Sequence, residues 1–243
     1  MPEGPSIFLF AEEMQRFTGQ KVLEVAGNSK IDKERLVGKK IKEVRTWGKH
    51  LLLVFEKFTL RIHFLMFGSY RINETKEAAP RLHLKCTKDE LNFYSAAIKM
   101  IEEPLDEIYD WQADVLSKNW NPKAARKKLK AKPDTMATDA LLDQTIFSGV
   151  GNIIKNEVLF RIKVHPASLV GDLPSKKLTE MIKEAVVYSY DFLAWKREYV
   201  LKKNWKVHTK KTCPRDETKI VKEYLGKTNR RTFFCPTCQV QYE

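Results

Sequence analysis

Three groups of residues in this 243-residue chain carry side chains suited to chemistry. The first is the opening Met1-Pro2-Glu3. Removal of Met1, usual before a small residue, would leave Pro2 with a free secondary amine. Such an amine condenses with a sugar aldehyde to an iminium, which is an electron sink for elimination, and the adjacent Glu3 carboxyl can serve as general acid or base. Taken alone, Met-Pro-Glu is a chance beginning more often than an active site. The second group is the cysteines. Cys235-Pro236-Thr237-Cys238 is a C-x-x-C pair, and Cys213-Pro214-Arg215-Asp216 sets an oxygen donor where a second pair would end. The interval from Asp216 to Cys235 falls within the spacing of a four-ligand zinc ribbon. Zinc accepts carboxylate oxygen as well as thiolate, so Cys213, Asp216, Cys235 and Cys238 could close a tetrahedron. His208 and Glu217 are other candidates for the fourth place. A hairpin without metal, with Phe233, Phe234 and Tyr224 as its core, is the alternative. Cys86 stands alone on a strand-like run and reads as core. The third group is Ser148-Gly149-Val150-Gly151-Asn152, between two helical patterns. Its glycines permit a tight turn that would deliver Asn152 as the N-cap of the next helix. Amides at that helix start could hold a phosphate, although a plain turn between helices would read the same way.

The elements that must position these groups change character near residue 115. A helix-like opening, Pro5 to Phe17, is followed by short β-rich runs at Lys21–Ala26, Lys40–Thr46, Leu51–Phe55, Thr59–Met66, Arg81–Cys86, Leu91–Ser95 and Ile98–Ile101. Their spacing, with Gly, Asn and Asp punctuation, predicts an antiparallel sandwich or barrel. After Asn121-Pro122 the period becomes helical, through Leu141, Ile146, Ile153, Val158 and then Leu178 to Trp195. The last 30 or so residues return to strand-like runs bracketed by cysteines. The expected class is α+β, with an N-terminal β-sandwich domain at 1–115, a helical domain at 116–205 and a finger-like module at 206–243.

Charge narrows the partner. Lys and Arg number 44 against 31 Asp and Glu, a net +13. Lys202 to Glu243 holds 11 basic and 4 acidic residues, a net +7, and Lys123 to Lys132 holds six basic residues and no acid. Either run alone reads as solvated surface. Together, interleaved with Trp120, Trp205, Phe233 and Phe234, they favour a polyanion, foremost a nucleic acid. Hydrophobic residues at 43% exclude a wholly disordered chain. No apolar run reaches membrane-spanning length. The opening residues lack the basic and apolar regions of a secretory signal, so a cytoplasmic, nucleoid-associated location is expected.

Five motifs occur in order: Pro2-Glu3-Gly4-Pro5, Trp47-Gly48-Lys49-His50, His63-Phe64-Leu65-Met66-Phe67-Gly68-Ser69, Gly149-Val150-Gly151-Asn152-Ile153, and the terminal cysteine module. This succession resembles the formamidopyrimidine-DNA glycosylase and endonuclease VIII family over essentially the whole chain. The resemblance implies a β-sandwich, a helix–two-turn–helix domain and a zinc-finger hairpin, with damaged double-stranded DNA held between the lobes of a monomer. By position, Pro2 matches the Schiff-base nucleophile, Glu3 the acid/base carboxylate and Lys49 the hairpin lysine that contacts DNA phosphate. Asn152 matches a phosphate-binding turn residue, and Arg230 the finger arginine that grips phosphates beside the flipped nucleotide. Leu65, Met66 and Phe67 occupy the loop that fills the hole left by the extruded base. Ordinary strand packing is the alternative for those three.

Two positions depart from the family pattern. Ser6 stands where many relatives carry glutamate, and Asp216 stands where a cysteine is expected, which should weaken a structural zinc. The implied activity is that of a bifunctional glycosylase and abasic-site lyase of base excision repair, working by β,δ-elimination. Few glycines lie between Pro166 and Cys213, leaving no room for the long loop that caps 8-oxoguanine. Together with the Pro-Glu-Gly-Pro start, this favours the endonuclease VIII branch and oxidised pyrimidines. The rivals are a purine-preferring glycosylase of the same family and a catalytically weak protein that binds damaged DNA.

Overall fold

Pro5 supplies a preset φ at the first turn and lacks only an amide that a helix start leaves unbonded, so the chain enters α1 (Gly4–Met14) directly after Glu3. Ile7, Ala11 and Met14 recur at helical spacing and are buried. A single 3-10 turn (Gln15–Phe17) follows, and Gly19, at φ +83°, ends the segment. These residues belong to the first of two compact units, Met1–Tyr109 and Asp110–Glu243, in a computed structural model that describes residues 1–243.

Six strands make the sheet of the first unit: β1 (Val22–Ala26), β2 (Glu43–Trp47), β3 (His50–Val54), β4 (Thr59–Ile72), β5 (Leu82–Cys86) and β6 (Glu90–Ile101). They are antiparallel in the order β1-β5-β6-β4-β3-β2. A bridge between Lys21 and Lys40 links the two edges, so the sheet bends back on itself and leaves little open edge. Inside lie Leu51, Leu53, Leu60, Ile62, Leu82, Leu84, Leu91 and Phe93, with Ile7, Met14 and Phe17 covering them from α1. Alternation along β5 and along the first half of β4 puts these residues on one face. Two runs that the sequence divides, Leu91–Ser95 and Ile98–Ile101, form the single strand β6, since pairing with β4 carries the ladder through Ala96 and Ala97. Cys86 is buried as expected, and its thiol is pushed up to about 11, chiefly by desolvation.

Unit two opens after the short α2 (Leu105–Ile108) and contains α3 (Pro122–Lys130), α4 (Ala137–Leu142), α5 (Asn152–Arg161), α6 (Ser175–Arg197) and α7 (Leu201–Asn204). Asn121 caps α3 by accepting from the Lys123 and Ala124 amides. Leu178, Met181, Ile182, Ala185, Tyr188 and Phe192 form the buried stripe of α6, packed with Ile154, Val158 and Leu159 of α5. The chain ends in the hairpin β7 (Val221–Leu225) and β8 (Arg230–Phe234). Phe233 and Phe234 are buried there, and Phe233 packs with Phe160, Val207 and Ile220, so these rings are core rather than open stacking faces. Tyr224 is 61% exposed and takes no part, contrary to the expectation for a hairpin held by its own packing. No helix is long and apolar enough to cross a membrane.

Candidate active site and metal centre

At the head of α1 the backbone of Glu3 is extended, and its carbonyl accepts from the Ser6 and Ile7 amides at 2.8 and 3.2 Å. The Glu3 side chain does not cap the helix, and the residue is only 4% exposed. Ser6, one turn on, is also buried. The Met1 ammonium lies 3.5 Å from the Met66 sulfur. Pro2, between Met1 and Glu3 in the chain, is half-buried.

That loop is a wide bulge. Phe64 pairs with Ala96 and Ser69 with Tyr94, so Leu65–Gly68 face Ser95 alone across the ladder. The extra residues turn outward: Leu65 is 45%, Met66 58% and Phe67 89% exposed. Phe67 holds φ +62°, in a region that large side chains seldom occupy. A Cβ on Gly68 would come within 2.7 Å of the Ser95 carbonyl oxygen, so only glycine closes the bulge. Three large apolar side chains held in water by a strained backbone are not packing residues, and strand packing fails as their explanation.

Lys49 occupies the two-residue loop between β2 and β3. Gly48, at φ +53°, takes the first loop position, as a type II′ hairpin requires. His63 on β4 donates its Nδ1–H to the Lys49 carbonyl at 3.3 Å. His50 packs edge-on to His63 and against Trp47, while Trp47 lies 4.9 Å from Tyr109. Burial, reinforced by Arg61, His63 and Lys49, lowers His50 to about 3. In the second unit burial, with Arg231 and Lys155, lowers His208 to about 4. Both rings stay neutral in the fold, whereas an unfolded histidine takes up a proton near pH 6.5. Their stabilisation is thus complete above that value and is lost as pH falls towards the folded values. The denaturation midpoint should drop steadily from about pH 7 to pH 4. A flat midpoint would show that the rings protonate in place without penalty.

In the second unit the glycine turn behaves differently from expectation. Gly149 takes φ +98°, and the N-cap of α5 is Gly151, not Asn152. With an extended glycine backbone already entering the helix, Asn152 becomes its first residue. Its Nδ2 donates to the Arg231 carbonyl at 2.8 Å, while its Oδ1 is buried without a partner. Next along α5, Lys155 is fully buried and donates to the Thr232 hydroxyl at 2.8 Å. Asn156 donates to His208 Nδ1 at 2.9 Å and accepts from the Phe233 amide at 3.4 Å. Glu157, also fully buried, accepts from the amides of Lys206, Val207 and His208 at 2.8–3.1 Å. From α4, Asp139 accepts from the Lys227 and Thr228 amides and the Thr228 hydroxyl. Gly226, at φ +74°, leaves the space this carboxylate fills. The exposed Arg230 begins β8 just beyond this turn, on a hairpin backbone anchored by α4 and α5. Sequence reasoning missed Asp139, Lys155 and Glu157. For the last two a signal existed, a Lys-Asn-Glu triplet interrupting the apolar run of α5.

At the hairpin base, one donor atom from each of Cys213, Asp216, Cys235 and Cys238 lies within 4.8 Å of the others. Cys213 and Cys238 sulfurs are 3.9 Å apart, and Cys235 Sγ is 3.3 Å from Asp216 Oδ2. His208 is not part of the group, being bonded to Asn156 and packed on Trp205 and Phe233, and neither is Glu217. Burial pushes the Cys213 thiol up to about 12, and its hydrogen bond holds Asp216 down to about 2. A free cluster would thus carry its charge on the carboxylate. Three soft thiol donors and one hard oxygen converging on one point suit a divalent metal. The cluster could bind one.

Of the basic run on α3, Lys128 pairs with Asp110 and Lys132 with Asp143, both at 2.6 Å. Arg126 donates to Ser175 and Thr179 hydroxyls.

A bent antiparallel sheet with Pro-Glu at its head, a helical unit with a glycine turn and a terminal cysteine hairpin together define the fold of a helix–two-turn–helix DNA glycosylase. The formamidopyrimidine-DNA glycosylase N-terminal domain model matches residues 1–96, and the H2TH domain model of the same enzymes matches residues 112–188. The chain belongs to the formamidopyrimidine-DNA glycosylase and endonuclease VIII family. It is 34% identical to endonuclease 8-like 3 of Mus musculus over 205 residues, which cover 81% of this chain and 34% of the relative. It thus spans about a third of the length of that relative. Identity to the formamidopyrimidine-DNA glycosylase of Mycoplasmopsis pulmonis is 28%, covering 99% of both chains. Among solved structures, Lactococcus lactis formamidopyrimidine-DNA glycosylase bound to abasic-site DNA superposes with a TM-score of 0.86. Identity there is 23%, over 98% of this chain and 99% of the other. A viral DNA glycosylase superposes at 0.85 with 19% identity, over 98% and 100%.

Proposed function

We propose that the chain is a bifunctional DNA glycosylase and abasic-site lyase of base excision repair, acting on oxidised bases in double-stranded DNA as a monomer. One observation carries the reading: the N-terminus lies against Met66, in the same bulge that exposes Leu65 and Phe67, with the Glu3 carboxyl buried beside it. A nucleophile next to an apolar wedge is the arrangement needed to attack a sugar whose base has been pushed out of the stack. Once Met1 is gone, the Pro2 nitrogen attacks C1′ and the N-glycosidic bond breaks, the departing base taking up a proton. Glu3 protonates the sugar ring oxygen, the ring opens, and the amine gives up its N–H proton as the iminium forms. Loss of a C2′ proton then expels the 3′ phosphate, and a second elimination expels the 5′ phosphate. Hydrolysis of the remaining iminium returns Pro2. Lys49, Asn152 and Arg230 hold phosphates. Zinc, held by Cys213, Asp216, Cys235 and Cys238, would supply a structural cross-link only.

Oxidised pyrimidines are the favoured substrates. Residues 166–213 are largely taken up by α6 and α7, which supports the lack of a long capping loop. Incision of a lesion panel tests this: thymine glycol and dihydrouracil should be cut faster than 8-oxoguanine. The reverse order would assign the purine branch, and tight binding without any incision would make the chain a damage-binding protein.

Two predictions attach to this reading. Phe67→Ala should leave stability within about 0.5 kcal/mol, since the ring is in water. It should slow excision of a paired lesion about tenfold, and slow it less in single strands, where less unstacking must be paid for. Equal loss on both would argue against a wedge. For the metal site, Asp216→Cys should tighten zinc about tenfold or more, about 1.4 kcal/mol, by replacing hard oxygen with thiolate. A zinc content near zero in fully active protein purified without chelator would sink the site.

A further inference from the structure

The long helix α6 sorts its charges by face. Glu184 and Asp191 pair with Arg161 at 3.3 and 2.8 Å, and Glu180 pairs with Lys177 at 2.7 Å. At the edge of the buried stripe of α6, Ile182 with the half-buried Val186 and Val187 faces α3 and lines a groove of about 440 Å³ together with Trp120. The rim is cationic: Lys123 and Arg126 rise from α3 and Lys183 from α6. No Asp or Glu lines the groove, and Lys123 and Lys183 enter no ion pair. Arg126 is steered over the rim by hydroxyls of Ser175 and Thr179, partners that leave its charge uncompensated.

An open apolar floor ringed by cations is costly to leave bare, and its volume lies within the ~300–1,000 Å³ typical of ligand sites. We propose that this groove docks a short acidic segment of a partner protein, with aliphatic anchors at helical spacing. Charge complementarity selects the occupant. Three cations without acids on the rim call for carboxylates, and the aliphatic walls call for side chains such as Leu, Ile or Met. Nucleic acid fits less well. Bases need aromatic platforms, and the one ring in the wall, Trp120, is already stacked on Phe147 at 5.9 Å. The site is separate from the residues assigned to lesion chemistry, so docking here would recruit a partner without occupying them.

The test uses the full chain and a fluorescein-labelled synthetic peptide with Leu at i, i+3 and i+7 and Asp or Glu between. Fluorescence anisotropy should report micromolar binding, and the same peptide with Lys in place of its acids should not bind. Val187→Asp and Lys183→Glu should each weaken binding about tenfold, one by spoiling the floor and the other by opposing the peptide's charge. Lys183 is exposed, so its reversal leaves the packing intact and keeps the test valid even if Val187→Asp fails to fold. Failure to bind at about millimolar peptide, or affinity untouched by Lys183→Glu, overturns the proposal. So does displacement of the peptide by undamaged duplex whose own binding falls equally in Lys183→Glu, which would make the groove part of the nucleic-acid surface.

Discussion

Protein that keeps Met1, or that carries Pro2 behind a tag, should form no borohydride-trapped adduct with an abasic-site duplex, while the processed protein should form one. An acylated proline nitrogen has its lone pair delocalised into the amide and cannot form an iminium. Pro2→Gly restores a primary amine at nearly the same place and should retain part of the adduct. Glu3→Gln should slow excision of an intact lesion by about 10²–10⁴, the range supplied by a positioned acid or base. On a preformed abasic site the same variant should lose far less, because that sugar already opens to its aldehyde without a proton from Glu3 on the ring oxygen. Full-rate adduct formation by protein with Pro2 behind a tag would move the nucleophile to Lys49 or another lysine, and by Met1-bearing protein to one of these or the Met1 amine.

Glu157→Ala should be the most damaging single change to the second unit, costing on the order of 3–5 kcal/mol. The buried carboxylate is the acceptor for three consecutive amides, and each donor stranded in the interior costs about 1–3 kcal/mol. Burial also raises the Glu157 pKa, with the amide bonds opposing that rise. Chemical denaturation measures the loss, and a value below about 1 kcal/mol would mean that water reaches those amides. Because α5 grips β8 through Asn152, Lys155 and Asn156, the variant should also displace Arg230 and weaken DNA binding. Trapping at saturating DNA should still proceed, since Pro2 lies in the other unit.

The two effects differ in how far the residues responsible could be read beforehand. Pro2 and Glu3 are adjacent in the chain, and their chemistry follows from residue type and neighbourhood. The same holds for the Gly48-Lys49 turn, the start of α1 at Pro5, the cysteine spacing and the uneven charge, all set by interactions within a few residues. The boundary between β-rich and helical halves was legible for that reason, because hydrophobic period is a local property. What local order leaves open is which distant segments meet. The sheet order β1-β5-β6-β4-β3-β2 is not sequential, and the merging of two runs into β6 depends on pairing with β4. That pairing alone, by skipping Leu65–Gly68, leaves an apolar triplet exposed instead of in the core. Contact between α5 and the hairpin likewise bonds Asn152 to Arg231 and Lys155 to Thr232, while contact with residues 206–208 buries Glu157 and occupies His208, leaving Asp216 beside the three cysteines. Side-chain type and spacing determine what each residue can do; burial and long-range pairing decide which of those capacities is used, because desolvation and geometric convergence exist only once separate parts of the chain have packed together.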